Sequence, residues 1–233
     1  GTAARVGNRV LLLEKMEKPA RKVRITGKGR CNLTNARPVE EFVEQVRTNA
    51  EFFSVAFAEF NNRSTIRFFE RNKVKLDIER GDRVFPKSGK ASDVANALEW
   101  YCRDNDVDIE CNARVTEILE VAGKVYGVNY MNKRGFIRKV EAPNVIVATG
   151  GVSYPATGST GDGYIFADAA GHAIESVRPS LTPLVTSHPQ KSYMNGLLLR
   201  NVGAKLYIDN ELAREEFGEI GFSERGVEGA VAL

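Results

Sequence analysis

The chain has 233 residues, 42% of them apolar and 27% charged, and carries a formal net charge of +3 at pH 7. That length allows one large domain or a domain and a half, and so mild a charge gives no argument for nucleic acid or a membrane surface as the principal partner. Cys31, Cys102 and Cys111 fall at no metal-ligand spacing and two histidines, His172 and His188, are too scattered for a zinc site, so free thiols in a reducing, cytoplasmic setting are expected, without a secretory leader, a membrane-spanning run or a lipid anchor.

In chain order, Gly1 to Arg9 reads as the tail of a helix and its exit turn, and Val10 to Leu13 as a buried strand ending in Glu14. An acidic residue just past the second strand of a βαβ unit is where a nucleotide-binding fold holds ribose hydroxyls. The glycine-rich turn of such a unit lies roughly twenty residues earlier, so the expectation is that it precedes this sequence. A glutamate closing an apolar run is also the ordinary solvated end of a strand. Seven cations follow (Lys15, Lys18, Arg21, Lys22, Arg24, Lys28, Arg30) against one acid, Glu17. Their charges fit a solvated basic loop, but the Gly27-Lys28-Gly29-Arg30-Cys31-Asn32 core does not: the glycines allow tight turns, and Asn32, Thr34 and Asn35 add donors and acceptors.

Apolar residues at three and four spacing predict packing helices between Val39 and Lys73, with a serine cap at Ser64 and a phenylalanine-rich core. Lys75 to Lys90 predicts a hairpin turning at Gly81-Asp82, and Ser92 to Asn105 an amphipathic helix containing Trp100. Val107 to Ile109, Ala113 to Leu119, Val125 to Tyr130 and Phe136 to Val140 predict strands, the last three forming a meander. Asn144 to Thr149 is a short β-branched run, the pattern of a strand buried on both faces of a parallel sheet. It breaks at Gly150 and Gly151, where the backbone can turn sharply and approach a ligand. Ser153, Thr157, Gly158, Ser159, Thr160, Gly161, Asp162 and Gly163 then lead into a helix over Tyr164 to Ala170. Strand, glycine-rich turn and helix opening present free backbone N–H groups to an anion or nucleotide. Pro179, Pro183 and Pro189 mark a domain boundary, and Asn201 to Ile208 with the turn Asp209-Asn210 starts a β-rich second domain.

Three blocks carry a resemblance: Lys15 to Asn35 with its GKGRCNLTN core, the RVFPKSGK stretch with Arg83, Phe85, Pro86 and Ser88, and VIVATGGVSYPATGSTGDGY from Val145 to Tyr164. Together they resemble the HI0933-like (BaiN/YhiN-type) NAD(P)/FAD-dependent oxidoreductases. The tail from Phe217 departs from the family pattern at Ser223, Arg225, Glu228 and Ala230, and the family's closing segment does not follow. The resemblance implies an α/β fold: an FAD/NAD(P)-binding Rossmann-like domain over residues 1–180, and from residue 181 the start of an inserted β-rich substrate domain. It implies FAD as cofactor, NAD(P)H as electron donor, hydride transfer to a small organic substrate, and no metal. The cofactor-binding set is then Glu14, Lys15, Arg21, Lys22, Gly27, Gly29, Arg30, Cys31, Asn32, Thr34, Thr149, Gly150, Gly151, Thr160, Gly161 and Asp162, with Arg30, Cys31 and Asn32 the candidates for catalysis. Cys31 also fits plain packing. Two other readings stay open: a nucleic-acid-binding or RNA-modifying flavoprotein using the basic stretch, and a non-catalytic fragment without flavin. Substrate and oligomeric state are not legible.

Overall fold

The computed structural model describes every residue except 47, 180, 181, 189, 190, 230 and 233, so the expectations placed on Pro189 and Ala230 lie outside the described residues. The chain divides into two compact units, Gly1–Ile174 and Glu175–Leu233.

In the first unit a short helix, α1 (Thr2–Arg5), precedes β1 (Leu11–Glu14), which pairs in parallel with β5 (Asp108–Cys111), Leu11 facing Asp108 and Glu14 facing Cys111. A parallel pair needs a long crossover, and residues 15–107 supply it. It holds α2 (Arg21–Ile25), β2 (Thr34–Asn35), α3 (Val39–Glu44), α4 (Ala50–Glu59), α5 (Asn62–Arg71), β3 (Leu76–Glu79), β4 (Arg83–Pro86) and α6 (Ala91–Arg103). The strands β2, β4 and β3 form an antiparallel sheet whose hairpin turns where expected, with Gly81 and Asp82 both at positive φ. Then comes the meander β6 (Arg114–Val121), β7 (Lys124–Met131) and β8 (Ile137–Glu141), and after a long loop α7 (Asp162–Ala169).

The core forms where α6 lays its small residues against β4 and the end of α5. Cys31, Phe69, Val74, Ala91, Val94 and Ala97 make one buried cluster. Asn62, only 1% exposed, ties α5 to the β2 exit by donating from Nδ2 to the carbonyls of Asn35 (2.8 Å) and Arg37 (2.9 Å).

Three local expectations are corrected. The cap of α5 is Asn61, whose side-chain oxygen accepts from Ser64 N at 3.0 Å; Ser64 lies inside the helix because the asparagine amide oxygen reaches the same orphan donor from outside it. The phenylalanines are not uniformly core: Phe42, Phe53 and Phe57 stack on one another, but Phe52 is 84% and Phe60 54% exposed. Asn144 to Thr149 forms no strand and is not buried on two faces, Ile146 being 82% exposed. Among the described residues no neighbouring strand pairs with it, and without a ladder a β-branched run forms no strand.

The second unit is β-rich: β9 (Leu184–Val185), β10 (Leu198–Ile208), β11 (Glu211–Ser223) and β12 (Gly226–Glu228) lie in the antiparallel order β10-β11-β12-β9. The two-residue turn Asp209-Asn210 has positive φ at both positions, the geometry whose twist matches paired strands.

Candidate functional site

Lys15 and Met16 leave β1 and run directly against the glycine-rich loop. A side-chain carbon on Gly158 (φ +102°) would lie 2.8 Å from Met16 Cγ and 3.5 Å from Lys15 Cε. At Gly150 (φ +73°) it would lie 2.9 Å from Ser159 Oγ and 3.9 Å from Lys22 Nζ. Gly161, also left-handed, donates its N–H to the carbonyl of Gly151 at 3.2 Å, closing the loop on itself just ahead of α7. Thr149 packs across that closure, since a carbon on Gly163 would meet its Oγ1 at 2.6 Å. Gly151 differs from its neighbours: its φ is not positive and the nearest atom to an added carbon, the Tyr164 hydroxyl, is 3.5 Å away.

One polar knot ties the loop to β1. Lys15 Nζ donates to Thr160 Oγ1 (2.5 Å) and to Asp162 Oδ2 (2.7 Å), and Thr160 Oγ1 donates to Asp162 Oδ1 (2.9 Å). Lys15 and Asp162 are largely shielded from solvent, with side chains 18% and 13% exposed. Burial pushes the Asp162 carboxyl up, but the hydrogen bonds from Lys15 and Thr160, with the charges of Lys15 and Arg114, outweigh it and hold the group below the usual aspartate range. Asp162 also sits in the first turn of α7, where a negative charge complements the helix dipole.

Beside this knot opens a cleft of ≈ 530 Å³ lined by Lys15, Thr160 and five residues that sequence reading missed as site residues: Met16, Asn112, Arg114, Met131 and Asn132. The signal for them was the meander register. Arg114 opens β6 opposite Met131 at the end of β7, and Asn112 is drawn to β1 through its N–H to the Met16 carbonyl at 2.9 Å. Glu14 stands at the same strand end, with Oε1 accepting from Met16 N at 2.8 Å.

The GKGRCN block is placed differently. Gly27 (φ +58°) is required where a side-chain carbon would meet Asn32 N at 2.9 Å, whereas one on Gly29 would meet nothing within 4 Å. Arg30 pairs with Glu79 and lies 4.3 Å over the Phe85 ring, so its charge is engaged within the β2–β4–β3 sheet. Cys31 is 4% exposed in the core cluster, and burial pushes its thiol up, which suppresses the reactive thiolate. Asn32 is exposed, Thr34 pairs with Val84, and Arg21 pairs with Glu17 at 2.8 Å on the surface. The structure therefore gathers Glu14, Lys15, Thr149, Gly150, Gly151, Thr160, Gly161 and Asp162 around one loop, with Lys22 reaching Gly150. Among the described residues no cluster of histidine, cysteine or carboxylates could hold a metal, and no helix is long and apolar enough to cross a membrane.

The chain has relatives among known proteins. A 3-dehydro-bile acid delta(4,6)-reductase of Clostridium scindens is 30% identical over 221 residues, 94% of this chain and 51% of that protein. A ribosomal RNA dihydrouridine synthase of Escherichia coli is 26% identical over 99% of this chain and 55% of its own length. The chain thus spans about half the length of these curated relatives. The open conformation of a flavocytochrome c3 fumarate reductase superposes with a TM-score of 0.53 at 17% identity, covering 85% of this chain and 44% of that one, a likeness of fold. Residues 1–228 match the HI0933-like protein Rossmann domain, and the chain belongs to the HI0933-like family.

Proposed function

We propose that this chain is the Rossmann-like part of an FAD-dependent oxidoreductase that takes hydride from NAD(P)H and passes it to a small organic substrate. The observation that carries the reading is the loop of residues 149–162, folded through left-handed glycines onto the end of β1 and tied there by Lys15 and Asp162. The residues fit such a cofactor. Lys15 and Arg114 offer cationic donors, Asn112 and Asn132 neutral amides, and Gly151 a stretch of backbone where an added carbon would make only an ordinary contact, 3.5 Å from the Tyr164 hydroxyl. Cations and backbone N–H groups at a strand end suit the diphosphate of a dinucleotide. Glu14 keeps one carboxylate oxygen beyond its bond to Met16 N, the type of acceptor that ribose hydroxyls require.

When bound, a flavin would supply the two-electron chemistry, accepting hydride from the nicotinamide and delivering it to the substrate. The chain's part is to hold and orient it: Lys15 fixes the loop and contributes positive charge, and Asp162, kept ionised, prevents that lysine from swinging into solvent. The names of the two curated relatives, a reductase and a synthase of a dihydro product, both denote addition of hydrogen, so reduction of a conjugated double bond is the reaction class put forward. Gly151→Ala tests the reading. The added methyl has room in the protein itself, so the variant should fold normally yet bind FAD about tenfold or more weakly, as measured by equilibrium dialysis, if the cofactor approaches that backbone. Unchanged FAD affinity in a normally folded Gly151→Ala chain would contradict it.

A further inference from the structure

A second cleft, of ≈ 380 Å³, lies in the first unit and shares no residue with the first. It is lined by the buried Val74 and Ala97, by Lys73, Lys75 and Lys87, and by Trp100, which is 60% exposed. The register of the hairpin forces two of the lysines together. Leu76 pairs with Pro86, and the Lys87 N–H donates to the Lys75 carbonyl at 2.8 Å, so Lys75 and Lys87 stand opposite each other across the strands. Like charges directly opposite in a ladder repel. Lys73 adds a third cation at the end of α5, held at φ +65° although it is not glycine. Among the described residues none of the three lysines has an ion-pair partner, and Asp93 is the single acid lining the cleft.

We propose that this cleft binds a nucleotide, its phosphate between Lys75 and Lys87 and its base stacked on the Trp100 indole. An anion removes the repulsion that the register builds in, and an exposed indole beside a cationic cleft is the stacking platform that bases use irrespective of their identity. The volume lies within the range of small-ligand sites. The inference does not depend on flavin binding. The nucleotide is either free or one unit of a single strand, and the two differ in salt response, because a strand releases several counterions on binding.

Trp100 is the one tryptophan in the sequence, so its fluorescence reports this cleft directly. The full chain, without added FAD, is titrated with adenosine monophosphate and separately with a short oligoadenylate; Trp100 lines only the second cleft, so binding elsewhere does not enter the signal. Saturable quenching by the mononucleotide assigns a free nucleotide; quenching by the oligomer alone, falling steeply with salt, assigns a strand. No quenching by either probe overturns the proposal. Lys75→Gln should weaken the observed binding about tenfold while leaving the melting temperature of the free chain unchanged or higher, because it relieves the Lys75–Lys87 repulsion. Trp100→Phe, followed by thermal shift, should retain most of the binding and Trp100→Ala lose it roughly 5- to 100-fold. Equal weakening by Lys124→Gln, a surface lysine at the start of β7 and outside the cleft, would reduce the effect to general charge and overturn the assignment.

Discussion

Gly150 and Gly151 are adjacent and chemically identical, yet the structure gives them opposite tolerance, which makes Gly150→Ala a sharp test of the loop geometry. At Gly150 the backbone sits at φ +73°, and an added carbon would approach Ser159 Oγ to 2.9 Å. An L-residue in that conformation costs about 1–2 kcal/mol, partly offset by about 0.4–1 kcal/mol from a stiffer unfolded chain. Ser159 is 7% exposed and has little freedom to retreat. Pushing its side chain off its rotamer adds about 0.5–1.5 kcal/mol, so the net loss spans about 0.5–3 kcal/mol and centres near about 2 kcal/mol. For a unit of this size the central value lowers the melting temperature by roughly 4–8 °C. Gly151→Ala, with no positive φ and 3.5 Å of clearance, should instead stay within about 0.5 kcal/mol of the parent. Urea unfolding followed by circular dichroism measures both. Equal destabilisation by the two, or a larger loss at Gly151, would refute the loop as described.

Asn62→Ala removes two buried hydrogen bonds to the Asn35 and Arg37 carbonyls and should cost about 1–3 kcal/mol in urea unfolding, although the residue lines neither cleft; a loss below about 0.5 kcal/mol would show that those carbonyls find other partners. Asp162 has a folded-state pKa below its unfolded value, so its ionised form contributes stability that is complete above the unfolded pKa, near 4, and is lost as pH falls through the depressed folded pKa. The parent should therefore be more stable than Asp162→Asn at neutral pH, with the gap closing in acid; a gap independent of pH would contradict this. The native Cys31 thiol, buried and pushed up, should resist alkylation at neutral pH and react only when urea unfolds the chain. Rapid modification of Cys31 in the native protein, located by peptide mass mapping, would count against its packing role.

Much of the architecture was readable because it rests on local chemistry. The hairpin at Gly81-Asp82, the meander from Arg114 to Glu141 and the helix carrying Trp100 follow from turn residues and apolar spacing, signals that need no distant partner. The Asn144 to Thr149 run misled because burial is a property of neighbours: the β-branched pattern is that of a buried strand, while in this structure Ile146 and Val147 face solvent. Asn61 rather than Ser64 capped α5, since both can accept from a helix-opening amide and only the backbone decides which stands outside the helix. At the site, the glycines and Asp162 were legible as a loop, but the Lys15–Asp162 tie joins residues 147 positions apart and no spacing rule reaches that far. Arg114, Asn112 and Asn132 were hidden for the same reason: they enter the cleft through strand register, and each alone looks like an ordinary strand-end residue. Arg30 and Cys31 show the reverse, being prominent in the sequence motif but committed in the fold to Glu79, Phe85 and the core.

The visible absorption spectrum of the purified chain, taken after incubation with FAD and removal of unbound cofactor, tests the central claim most directly. A flavin spectrum at near-stoichiometric level, diminished in Lys15→Met where the loop loses its tie to β1, is the predicted result. A folded chain that stays colourless after FAD incubation would contradict the assignment of the glycine loop as a flavin site.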